Sequence, residues 1–243
     1  MSVYNDGFYQ SQFERSYLSA RRVVSILHEV YSPNSVVDFG CGRGAWLEAF
    51  YQSGSVTLLG YDGDWNANEL ASQNTFQFIP RNLEERILPP IEKFDIAISV
   101  EVAEHLPESA ADIFVENLIG HSDVILFGAS VEHQGGTHHV NEQRQSYWGE
   151  KFRSRNFLIF DFFRPRIWGL GEVDFWYRQN MFLYVREGSS LHQRLDQLGV
   201  EQVSNLTWMD VVHPDLLEIW VKRANSPLRH SLRRVYHRTR DRS

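Results

Sequence analysis

The chain has a single cysteine, Cys41, among 243 residues, so no internal disulfide framework can hold it together. It has no uninterrupted apolar stretch near the roughly 20 residues that a bilayer-spanning helix needs. Its first residues, MSVYNDGFYQ, lack the basic start and apolar run of a secretory signal. It also lacks internal repeats and low-complexity tracts. Together these absences lead us to expect a soluble protein of a reducing cytoplasm. Basic charge is scarce as well, the formal net charge being -7. After residue 221, Lys222 and seven arginines face only Asp241, so the rest of the chain carries -14. Such a body disfavours a nucleic-acid partner, because polyanion binding depends on Lys and Arg replacing counterions. The basic end can still contact an anionic surface or a partner protein. Nothing in the sequence fixes the oligomeric state.

Composition is otherwise ordinary, at 42% hydrophobic and 23% charged residues, and the length suits one well-packed α/β domain. Helical and strand-like patterns alternate from residue 11 to about 185, as in a mainly parallel sheet with helices on both faces. Residues 11–30 read as a helix and SVVDFG at 35–40 as the first buried strand. A glycine-rich turn follows, then a helix over 45–52 and strands at 56–61 and 75–79. FDIAISV at 94–100 is the clearest strand; EVAEHL is a turn or short helix, 108–119 a helix, and 124–127 a strand. Residues 128–141, GASVEHQGGTHHVN, show no period and read as a loop at a strand's carboxyl end, where α/β folds bind ligands. A helix at 142–155 precedes FLIFDFF and NMFLYV, whose proximity predicts an antiparallel pair. The expected division is an N-terminal helical cap at 1–34, a core at 35–190, an extension at 191–226 and a basic tail at 227–243.

VVDFGCGRGAWL at 36–47 carries the first chemistry. Gly40-x-Gly42-x-x-Ala45 satisfies the dinucleotide fingerprint, but Asp38 two residues before the first glycine would repel a pyrophosphate. The same carboxylate attracts a ligand bearing sulfonium and ammonium groups, so an adenosyl sulfonium fits the charge better. Glycines at 40 and 42 let the backbone pass close to a ligand, and the next helix aims its N-H groups at it. Asp62 ends the second strand where ribose hydroxyls can donate to it, with Asp64 as a rival.

On these motifs, together with FDIAISVEVAEHLP, the chain resembles the class I S-adenosylmethionine-dependent methyltransferases from about residue 35 to 185. The resemblance implies a Rossmann-like seven-stranded sheet, mainly parallel with the last strand antiparallel. It implies that Asp38, Gly40 and Gly42 contact the methionine part of the cofactor and Asp62 the ribose. Asn82 with Leu83 would meet the adenine edge, although the family more often has Asp at the place of Asn82. Glu101 is assigned to the cofactor as well, and Cys41 is a small filler between the glycines.

EVAEHL spaces Glu101, Glu104 and His105 so that a helix would put all three on one face. Glu104, His105 and His139 are the candidate catalytic residues, a base for a hydroxyl being the role an imidazole suits. The cluster also permits, without requiring, a divalent metal such as Mn or Mg on Glu101, Glu104, His105 and His139. E-x-x-E-H with a later histidine resembles the metal site of small-RNA 3′-end 2′-O-methyltransferases, while similar strings occur in metal-free small-molecule enzymes. GGTHHVNEQ resembles bacterial methyltransferases of sugar and surface-glycan modification, in which His139 rather than His138 holds the fixed place. Tyr177, Arg178 and Asn180 belong to the same resemblance, entering the last strand. The expectation is an O-methyltransferase of a sugar or sugar-containing metabolite. Two alternatives stay open: a metal-dependent RNA 2′-O-methyltransferase, and a non-catalytic protein that senses the cofactor. Tyr4, Phe8, Tyr9 and Tyr17 could form an aromatic lid over the pocket or simply pack on the core.

Overall fold

Short runs of aliphatic, β-branched and aromatic residues form the strands, and the near-complete burial of the central ones follows from a sheet covered on both faces. The computed structural model describes residues 6–66, 70 and 74–225. Its strands are β1 Ser35–Phe39, β2 Thr57–Asp62, β3 Gln77–Pro80, β4 Ile96–Val100, β5 Val124–Gly128, β6 Phe157–Phe160 and β7 Phe182–Arg186. They form one sheet in the order β3-β2-β1-β4-β5-β7-β6. Pairings among β1 to β5 are parallel, and β7 runs antiparallel to both of its neighbours. This is the expected Rossmann-like sheet, including the reversed last strand and the antiparallel pair at the end.

The helices are α1 Asp6–Leu27, α2 Ala45–Gln52, α3 Ala111–His121, α4 Gln145–Arg153, α5 Arg164–Ile167, α6 Phe175–Asn180, α7 Ser190–Gln197 and α8 Pro214–Ala224. Alternation along the strands divides the core in two. Val36, Leu58, Ile96, Ile98, Leu126 and Leu183 face α1, α2 and α7 through Val24, Leu27, Phe50 and Leu195. Val37, Leu59, Ala97, Ile125, Phe127 and Tyr184 face α3 and α4 through Phe114, Leu118, Trp148 and Phe152. The free edge of β6 is covered where Val203 N-H donates to the Ile159 carbonyl at 2.7 Å.

The chain divides into two compact units, Met1–Val211 and Val212–Ser243. The described part of the second is α8, begun by Pro214 and capped by His213, whose Nδ1 accepts from Asp215 N-H at 3.1 Å. None of the described helices is long and apolar enough to cross a membrane. The basic tail at 227–243 and Tyr4 lie outside the described residues, as do the side chains of Phe8 and Tyr9. Tyr17 packs against the cluster beneath α1 and stacks on Phe13.

One local expectation is corrected. Tyr177, Arg178 and Asn180 do not enter the last strand; they form α6, and β7 starts only at Phe182. The segment FWYRQN lacks alternation, and all four residues from Tyr177 to Asn180 are buried, which a helical turn packed on the core achieves and a half-covered strand would not. EVAEHL, expected as a turn or short helix, is a turn. Glu101 takes a left-handed conformation, φ 58°, directly after β4, and only Ala103–His105 forms a 3-10 turn.

Candidate active site

Asp38, Asp62, Glu101, Glu104, His105 and His139 lie at or beyond the carboxyl ends of β1, β2, β4 and β5, beside the point where the connections from β1 and β4 leave toward opposite edges of the sheet. The glycine turn after β1 is fastened to β2: Gly40 N-H donates to the Tyr61 carbonyl at 2.8 Å, and Gly42 N-H donates to Asp62 Oδ2 at 2.7 Å. Asp62 Oδ1 accepts Gly63 N-H at 2.7 Å and the Trp65 indole N-H at 3.2 Å. The two glycines differ in what surrounds them. A Cβ on Gly40 would stand 2.3 Å from Val102 Cγ2, whereas one on Gly42 would meet nothing within 4 Å among the described residues. Gly44, left-handed at φ 82°, then starts α2.

Asp38 is buried beneath this turn. Burial pushes its carboxyl well above the usual carboxylate range, and the charge of Asp62 adds to the effect. Asp62 is also raised by burial, with its hydrogen bonds and nearby His105 acting in the opposite direction. Asp64, the rival, is exposed in the following 3-10 turn, and it is Asp62 that touches the glycine loop. Cys41 is a buried thiol pushed up by desolvation and by Asp38 and Asp62, which suits an inert filler. Leu83 is buried in the second core cluster. Asn82 closes its own turn: Oδ1 accepts Glu84 N-H at 3.1 Å and Nδ2 donates to Glu85 at 3.0 Å.

Past β4 the two glutamates separate in role. Glu101 is held by three donors, Ser130 Oγ at 3.0 Å, Gln134 Nε2 at 3.0 Å and Asn180 Nδ2 at 2.8 Å. Burial raises its carboxyl, and these bonds oppose the rise. Glu104 is wholly buried, and among the described residues neither of its carboxylate oxygens has a hydrogen-bond partner. The hydroxyl and backbone N-H of Ser130 offset its charge without reaching hydrogen-bond geometry, so burial first and Glu101 second push it well above its ordinary range. Its backbone carbonyl pins the histidine loop by accepting Val140 N-H at 2.9 Å and Asn141 N-H at 3.0 Å.

That loop brings His139 against His105, ring centroids 4.8 Å apart and nearly perpendicular. One ligand atom each from Glu104, His105 and His139 lies within 4.8 Å of the others. A buried carboxylate with no partner beside two imidazoles is a donor set that fits a divalent cation. Glu101 stands outside this trio, on its amide and hydroxyl donors. Desolvation lowers the pKa of His105, and His139 adds to that. His138, by contrast, is in the left-handed region at φ 62°.

Sequence reasoning missed Glu142, Ser130, Gln134 and Trp65. Glu142 accepts from His139 at i+3, a spacing that could have flagged it. Ser130 and Gln134 reach Glu101 across 29 and 33 residues, a separation that leaves no local signal.

A family model described as a methyltransferase domain matches residues 10–155, more than half of the chain. Solved structures share the fold at low identity. The methyltransferase domain of the bacterial protein CtHen1-C aligns at 18% identity and TM-score 0.51, over 72% of this chain and 98% of that one. Magnesium protoporphyrin IX methyltransferase from Synechocystis PCC 6803, with bound SAH, aligns at 17% identity and TM-score 0.50, over 77% and 90%. DesVI from Streptomyces venezuelae aligns at 11% identity and TM-score 0.57, over 74% and 96%. No curated protein matches the sequence.

Proposed function

Because the chain belongs to the methyltransferase-domain family, we propose that it is an S-adenosylmethionine-dependent O-methyltransferase acting on a small-molecule hydroxyl, that of a sugar or sugar-containing metabolite. One observation carries the cofactor part. Asp38, Asp62, Glu101 and Glu104 gather at the ends of β1, β2 and β4, each with a carboxyl raised first of all by burial. Such a cluster of acidic groups favours a cationic ligand. S-adenosylmethionine supplies sulfonium and ammonium charge together with the methyl group that is transferred.

The chain's own residues supply alignment and proton handling. The open space over Gly42 admits the ligand against backbone, and Asp62 accepts ribose hydroxyls. The left-handed turn at Glu101 carries β4 into the 3-10 turn that presents Glu104 and His105. Transfer is an in-line displacement, so holding acceptor oxygen and methyl carbon in line is the largest contribution. As the oxygen-carbon bond forms and the carbon-sulfur bond breaks, His139 takes the hydroxyl proton. The acidic body supports a small acceptor over RNA.

A second reading of the acceptor side follows from the unpartnered Glu104 carboxylate. Glu104, His105 and His139 would hold a divalent metal, Mn or Mg, which would lower the acceptor's pKa.

Isothermal titration with S-adenosylmethionine and S-adenosylhomocysteine tests the cofactor. Wild type binds both, and Asp62→Ala binds about 10- to 100-fold more weakly, as loss of charge-assisted hydrogen bonds predicts. Absence of binding by wild type would sink the proposal. Titration with Mn alone tests the second reading: heat that disappears in Glu104→Gln supports it, and a flat wild-type titration rules it out.

A further inference from the structure

We propose that Glu142 is a positioning residue that holds His139 in the tautomer protonated on Nδ1, so that Nε2 is the nitrogen offered to whatever enters the site. The inference deepens the reading of His139 as the proton acceptor and rests on it.

The geometry is a three-point junction within one loop. Glu142 Oε1 lies 2.9 Å from His139 Nδ1 and 2.6 Å from Gly135 N. A backbone N-H can only donate, so Oε1 is the accepting oxygen of that carboxylate, and Nδ1 supplies the second proton to it. The side chains of His139 and Glu142 are 12% and 18% exposed, which leaves little room for water to replace either partner. In a neutral imidazole the nitrogen that carries the proton is set by the hydrogen bond it makes, and the other is left as base or ligand.

The loop is shaped to make this junction. Gly135, at φ 76°, and His138, at φ 62°, turn the chain back so that residues 135, 139 and 142 meet. A Cβ on Gly136 would stand 2.1 Å from His139 Nε2 and 2.3 Å from Cε1, so the ring lies in space that only glycine leaves open. The Val140 and Asn141 N-H groups, fixed on the Glu104 carbonyl, hold the far side. His139 is thus constrained by Glu142 at one nitrogen, by Gly136 under the ring and by Glu104 behind the backbone. The same restraint serves either proton removal or metal ligation, since both use Nε2.

The experiment is a long-range proton-nitrogen correlation of the histidine side chains at about pH 8, above the ordinary imidazole range. It is run with EDTA and without cofactor or acceptor, and His139 is assigned by its loss in His139→Gln. The expected wild-type pattern is a protonated Nδ1 and a bare Nε2. In Glu142→Ala the Nε2-protonated form becomes predominant. Glu142→Gln keeps the wild-type pattern, because the amide carbonyl can accept the same proton. A bare Nδ1 in wild type, or an unchanged pattern in Glu142→Ala, would overturn the assignment. Should Glu142→Ala fail to fold, the wild-type spectrum alone decides. Failure of the chain to bind cofactor would leave this spectrum untouched, so the two ideas fail separately.

Discussion

Gly40 and Gly42 stand two residues apart in one turn, with φ 88° and 53°, yet they are glycine for different reasons. At Gly40 the protein itself fills the space, since Val102 from the turn after β4 sits where a side chain would go. At Gly42 the space is open, which is what a ligand needs. Gly40→Ala therefore combines the left-handed penalty of about 1–2 kcal/mol with overpacking of about 1–3 kcal/mol, and its melting temperature falls accordingly. Gly42→Ala carries only the first of these, about 1–2 kcal/mol, but loses S-adenosylmethionine affinity more than tenfold. Thermal melts and cofactor titrations on the two variants separate these effects. A Gly42→Ala protein that binds as wild type does would show that the open face of the turn is not the ligand side.

Among the elements, α1 is joined to the site through α6. Ser16 Oγ meets the Tyr177 hydroxyl at 3.2 Å, Asp174 N-H donates to Ser19 Oγ at 3.1 Å, and Arg15 pairs with Asp174 while lying over Trp176. Tyr177 is buried, and Glu101 adds to the rise of its hydroxyl pKa, so α6 links helix and site. Arg15 is largely exposed, which limits its pair with Asp174 to about 0.2–1 kcal/mol after screening. In Asp174→Ala the amides of α1 should exchange about two- to fivefold faster, with the protection of β1 and β4 unchanged. Equal acceleration in the strands would mean that α1 does not open on its own.

The same contrast explains what could be seen in the sequence. SVVDF and FDIAISV were legible because a parallel strand covered on both faces needs an unbroken apolar run. The helix α6 was not, because WYRQN is polar in composition and is buried only through partners such as Ser16 that lie far away in sequence. Asp38, Gly40 and Gly42 were legible as one local motif, and Asp62 as the acidic end of the next strand, which the fold brings onto the glycine turn. The division between Glu101, held by Ser130, Gln134 and Asn180, and Glu104, whose carboxylate has no hydrogen-bond partner among the described residues, was not. It depends on a left-handed φ at a glutamate, which no residue type announces.

For the molecule as a whole, the carboxyl edge of the sheet makes protonation part of folding. Asp38 and Asp62 both have carboxyls raised by burial. Each therefore contributes stability that is present below the ordinary carboxylate range and is lost as pH rises through its raised value. A cation entering between them reverses the preference, because it stabilises the ionised forms and drives their protons into the solvent. Cofactor binding then has a chemical by-product that calorimetry can count. With EDTA present, the observed heat should depend on the buffer's own enthalpy of ionisation, and affinity should climb with pH by up to about tenfold per unit for each proton expelled. S-adenosylhomocysteine lacks the sulfonium charge and should expel fewer. Identical buffer dependence for the two ligands would mean that these aspartates do not sense the sulfonium. If they do sense it, each turnover returns protons to the sheet edge as the charge leaves, and the protein discharges its product most readily where the solution can resupply them.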